Sequence, residues 1–134
     1  MSNLLAVILG GGVGAALRYS LSRWLLSFQF FTNHSWSVIM LINVVGSFIM
    51  GALFVVISKH LLLSAFYRHL LLIGLLGGFT TFSSFSIDTV SAIEMGNMLA
   101  AVLNVICTVF GSLAMCLLGV FIAQSICNWK VISC

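Results

Sequence analysis

Phe82 and Phe85 stand three residues apart with Ser83 and Ser84 between them, just after Thr80 and Thr81, inside an apolar run long enough to cross a bilayer. Aromatic rings have a positive edge and hydroxyls donate hydrogen bonds, so such side chains on one helix face can take the place of water around a small ion. The second apolar run carries one strongly polar residue, Asn43 in LINVVGSFIMG, with Ser47 and Gly51 following on the same face. Its amide either bonds a neighbouring helix or is offered to a passing anion. In the last run Asn104, Thr108 and Ser112 recur at every fourth position, a polar line about 12 Å long. A lone buried Ser or Thr commonly bonds its own backbone. Three polar groups in register favour a track.

The elements that must hold these groups follow from composition. The chain has 134 residues, 62% hydrophobic and 5% charged, with no proline, and a mean hydropathy of +1.27. No soluble domain buries that much apolar surface, so this is an all-α membrane protein. At roughly 20 residues per crossing, four crossings fill a single transmembrane domain, 1–134, at about 4–26, 36–58, 70–92 and 98–124. The third is expected to be broken. Its stretch GLLGGFTTFSSFS, residues 74–86, packs three glycines and five hydroxyls where leucine would be ordinary. Gly77 and Gly78 loosen the backbone, and any peptide group freed in hydrocarbon costs several kcal/mol unless protein, water or an ion satisfies it.

Other function classes fall away. Four short crossings leave no module for an enzyme, and neither a Ser-His constellation nor metal-ligand spacing is present. The net charge of +3 is too small and scattered for nucleic acid. Cys107, Cys116, Cys127 and Cys134 lack CxxC spacing and read as small apolar side chains. Met1-Ser2-Asn3 has no basic lead-in, so the first segment is expected to stay in the mature protein.

Gly10 and Gly14 form a GxxxG face on the first crossing, and Arg18 follows one turn later. An arginine costs of order 3 kcal/mol at mid-bilayer. Arg18 either snorkels beside the interface anchors Tyr19, Arg23 and Trp24 or lines an anion vestibule. Asp88, on the face of Phe85, is placed to cap, to pair with Arg18 or to meet water. His34, His60 and His69 fall at connections. Lys59, Arg68 and Lys130 on one side against Arg18 and Arg23 on the other give almost no orientation bias. Such a chain can insert both ways, and oppositely oriented copies can pair as an antiparallel homodimer, completing a pore that four helices alone enclose poorly.

GGGVGAALRY at 10–19, NVVGSFIMG at 43–51 and GLLGGFTTFSSFS at 74–86 resemble, in order, the motifs of the Fluc (CrcB) fluoride channels. The resemblance covers nearly the whole chain. It implies a dual-topology homodimer in the plasma membrane, the inner membrane of bacteria. Two antiparallel pores would pass fluoride out of the cytoplasm, around a structural sodium ion at the dimer centre. Carried over, Asn43 donates to fluoride, Phe82 and Phe85 form an aromatic box, and Ser83 and Ser84 line the way between them. Asn104, Thr108 and Ser112 stand where the family has a Tyr, Ser, Ser track. Arg18 matches the vestibule arginine, and Gly77 and Thr80 match the residues whose backbone carbonyls hold sodium. Val38 and Ile39 replace a Gly-Thr pair, and Asp88 replaces a more usual Glu. The alternative, a small multidrug or guanidinium-type cation exporter, needs a membrane-embedded carboxylate to exchange protons. The first crossing has none.

Overall fold

The computed structural model describes residues 1–59 and 65–127. Four segments in it are long and apolar enough to cross a membrane: Ser2–Leu25, Trp36–Lys59, Ala65–Glu94 and Met98–Cys127. The first is α1, and a short helix α2, Gln29–Asn33, leads into α3, Trp36–Lys59. The third segment is composite. It begins as α4, Ala65–Arg68, widens into a π-helical stretch over His69–Leu76, returns to α-helix as α5, Gly77–Phe79, and resumes after an interruption as α6, Phe82–Glu94. The last is α7, Met98–Cys127. His60, Lys130 and Cys134, named above for charge placement and cysteine chemistry, lie outside the described residues.

Helix association in lipid depends on close backbone approach, because lipid tails are as apolar as leucine. The glycines of α1 supply it. A Cβ on Gly14 would overlap the Leu75 carbonyl oxygen and lie 2.9 Å from the Phe79 nitrogen; one on Gly10 would overlap the Leu70 carbonyl oxygen. So α1 lies backbone to backbone along the π-helical stretch and α5. The α3–α7 pair uses the same device, with Gly51 against the Cys116 carbonyl and Gly119 against that of Phe48. Near its end Lys59 Nζ donates to the Cys127 carbonyl at 2.6 Å, a cation on the negative end of α7.

The third crossing is interrupted, but not at its glycines. Gly77 keeps helical dihedrals, φ −65° and ψ −33°. The chain opens at Thr80, φ −85° and ψ 151°, and Thr81, φ −151° and ψ 125°. Gly74 and Gly78 are needed instead for contact with α1: Cβ atoms there would come within 2.9 Å of Gly10 Cα and 3.0 Å of Gly11 Cα respectively. Two β-branched residues, which favour extended backbone, take the break. Gly46 on α3 leaves room for the Thr80 methyl.

At the far end of α6 the chain turns through Gly96 in the left-handed region, φ 73°. Asn97 Oδ1 then caps α7 by accepting from the Ala100 amide at 3.1 Å.

Gly14→Ala should therefore lower stability by about 1–3 kcal/mol through forced separation of α1 from the third crossing. Gly12→Ala, with no atom within 4 Å of the new Cβ, should be neutral or stabilising by up to about 1 kcal/mol. Thermal unfolding of the two variants in detergent checks the contrast.

Candidate ion-conduction site

The break lies near the midpoint of the Ala65–Glu94 span, and its backbone groups find partners in side chains. Asn43, 7% exposed, grips Thr81 from both directions. The Thr81 amide, which in an unbroken helix would bond Gly77, donates to Asn43 Oδ1 at 2.8 Å, and Asn43 Nδ2 donates to the Thr81 carbonyl at 3.0 Å. On the preceding side, the Thr80 amide and Oγ1 both donate to the Leu76 carbonyl, at 3.0 and 2.9 Å. Arg18 Nε donates to the Gly78 carbonyl at 3.3 Å. That contact takes Arg18 to the break, so the pairing with Asp88 that the sequence allowed is not the arrangement found.

Thr81 also starts α6. Its Oγ1 accepts from the Ser84 amide at 3.4 Å and lies 3.0 Å from Ser83 Oγ, an N-cap that leaves the positive end of a 13-residue helix at membrane depth. Carbonyls gather on one side of the break and amides on the other. A cation is favoured at the first and an anion at the second, as at the discontinuous helices of transporters.

A cavity of about 340 Å³ opens beside the break, lined by Asn43, Ser47, Thr80, Thr81, Phe82, Thr108 and Ser112 together with apolar side chains of α7. Phe82 is 74% exposed. One hydroxyl here is unusual. Ser112 Oγ is buried with no hydrogen-bond partner, whereas Ser86, Thr89 and Ser125 each donate to the carbonyl four residues before them. A buried hydroxyl left unpaired costs about 1–3 kcal/mol, and Ser112 is also one of the residues that line the cavity.

The remaining sequence-designated residues fall elsewhere. Ser83 and Ser84 line a second cavity of about 400 Å³ with Ile39 and Asp88, separate from the one that Ser112 lines. Ile39 sets an apolar side chain beside them. Phe85 packs its ring 5.0 Å from that of Phe82, at 56° between planes, yet is only 6% exposed and lines neither cavity. Asn104, 1% exposed, is likewise absent from both and is bonded to Thr89 and Thr108. Gly77 lies in the last helical turn before the break and Thr80 within it. Two residues escaped the sequence reading, Thr81 and Thr89. A threonine directly before the run FSSF carries an N-cap signal, while Thr89 becomes visible only through its contact with Asn104.

A family model described as "CrcB-like protein, Camphor Resistance (CrcB)" matches residues 5–120. The chain belongs to the CrcB-like family. Relatives of this CrcB-like chain include a protein named fluoride-specific ion channel FluC of Roseiflexus sp. (strain RS-1), 39% identical over 129 residues, covering 92% of this chain and 95% of the relative. A protein of the same name from Coxiella burnetii (strain Dugway 5J108-111) is 41% identical, covering 92% and 99%. Another, from Shewanella baltica (strain OS155), is 38% identical, covering 94% and 96%. These relatives are named as ion channels and not as enzymes, and they lend the cation-exporter alternative no support.

Asn43→Ala should lower the unfolding temperature, since it strips partners from the part-buried amide and carbonyl of Thr81, at up to about 1–3 kcal/mol each. Ser112→Ala removes a hydroxyl that bonds nothing and should leave that temperature unchanged or raised. Thermal melts in detergent separate the two.

Proposed function

We propose that this CrcB-like chain conducts fluoride passively across the bacterial inner membrane, working as an antiparallel homodimer. The observation that carries the reading is the unpartnered Ser112 hydroxyl on the wall of the cavity beside the interrupted third crossing. Relatives named as fluoride-specific channels cover the same residues.

The physical task is to replace hydration. A bare anion in a low-dielectric medium loses tens of kcal/mol of solvation, so donors must meet it continuously without holding it too firmly to leave. The Asn43 side-chain nitrogen has two protons, one engaged by the Thr81 carbonyl and the second available to an ion. Ser112 Oγ and the positive edge of the Phe82 ring continue the series along one cavity, and Ser83 and Ser84 along the other. The amides at the start of α6 bias the whole region toward negative charge. Discrimination against chloride follows from reach: an ion of fluoride's size touches these short donors, and a larger one is kept away from some of them.

The dimer is supported by what one chain leaves open. Carbonyls at a helix break, and a cavity that holds an amide and several hydroxyls, are poorly suited to face hydrocarbon, and the near-even charge balance favours opposite insertion. Where two such breaks meet, the Gly77 and Thr80 carbonyls of both copies would form an all-oxygen cage of the kind a hard cation such as sodium takes. The fit is chemical: Gly77 has lost the Thr81 amide to Asn43, and its carbonyl is left as an acceptor. A bound sodium ion would supply fixed positive charge at mid-membrane and hold the two breaks in register.

Purified protein in liposomes should release fluoride and not chloride, read with ion-selective electrodes. Ser112→Ala should slow fluoride release about tenfold, the loss of one donor worth about 1.4 kcal/mol. Equal release of the two halides, or none of either, would contradict the proposal.

A further inference from the structure

Among the described residues, Asn104 is the one polar member of the largest fully buried side chains, with Ile42 and Val55. Its hydrogen bonds can be assigned from their far end. Thr89 Oγ1 donates its single proton to the Phe85 carbonyl at 2.8 Å. Thr89 can then only accept from Asn104, which places the amide nitrogen, at 2.9 Å, on that side. The same nitrogen lies 3.5 Å from the Phe85 carbonyl, another acceptor. The amide oxygen must therefore face Thr108, 3.0 Å away, and receives that residue's only proton. A one-way chain results, from Thr108 through Asn104 and Thr89 to the Phe85 carbonyl.

Two consequences meet at the cavity. The chain ties α7 to α6 at Phe85, whose ring supports Phe82 on the cavity wall. It also draws the Thr108 proton away from the cavity, so Thr108 presents lone pairs and a methyl group there. One turn further, Ser112 keeps an uncommitted hydroxyl. We propose that Asn104 is a positioning residue for anion passage: it seats Phe85 and orients Thr108, leaving Ser112 as the hydroxyl donor that the fourth crossing turns toward the ion. The polar line of Asn104, Thr108 and Ser112 is thus two devices, a buried bracket and a single donor. The inference rests on the fluoride-channel reading.

The test compares fluoride release from liposomes by wild type, N104L and N104D between pH 5 and pH 8, each against protein-free liposomes at the same pH. N104L keeps the branched shape of the amide, with bulkier tips and without its polarity, and should be at least tenfold slower than wild type at every pH. In N104D a protonated carboxyl has one donor and one acceptor, like the amide, whereas the ionised form has no proton for Thr89. Its rate relative to wild type should therefore recover several-fold as pH falls. Taking the ratio to wild type removes any titration of Asp88, which opens into the neighbouring cavities.

T89V and T89S cover the case in which a change at 104 prevents folding. The first should slow fluoride release about tenfold, and the second, which keeps the hydroxyl, should restore it. Wild-type release with N104L at the wild-type rate, a pH-independent N104D ratio, or T89V equal to T89S would overturn the inference alone. Absence of fluoride release from wild type would instead remove the reading on which it rests.

Discussion

No water reaches the middle of a bilayer, so an amide or carbonyl released from a helix there must find its partner within the protein. The third crossing releases several, at Thr80 and Thr81, and the surrounding structure is arranged around that need. Asn43 restores both of Thr81's bonds from the neighbouring α3. Arg18 reaches from α1 to the Gly78 carbonyl. Thr81 caps the helix that follows. Three crossings thus converge on one interruption, and the interruption turns a helix start, with its partial positive charge, toward a cavity at membrane depth.

Precision at that point depends on two close helix pairs. Bare glycine faces let α1 lie against the lower half of the third crossing, and α3 against α7, with backbones in contact. Asn43 is presented by one pair to a threonine held by the other, so the clamp works only if both pairs keep their spacing. A methyl group added at either glycine seam would be felt at the cavity without touching it.

Composition and motif order made the four crossings and the break of the third legible in the sequence, because hydrophobic length and the Thr-Thr-Phe-Ser-Ser cluster are local properties. The cause of the break was not. Adjacent glycines suggested loosened backbone, yet Gly77 stays helical, and the departure occurs where Asn43, remote in sequence, supplies replacement bonds. The fourth crossing shows the same limit. Fourfold spacing put Asn104, Thr108 and Ser112 on one face correctly, but which of them keeps a free donor depends on Thr89 and the Phe85 carbonyl, which periodicity does not report. Likewise Phe82 and Phe85 share a face by spacing, while the packing of α6 on α7 covers one ring and leaves the other open.

What unites the site is a preference for a small anion at a helix start in oil. The reversal potential of the reconstituted protein, with unequal fluoride on the two sides of a planar bilayer and an opposing chloride gradient, reads that preference without reference to any single residue. The account predicts a value at the fluoride equilibrium potential, unmoved by the chloride gradient. A reversal potential near zero, or one that follows the cation gradient, would contradict it.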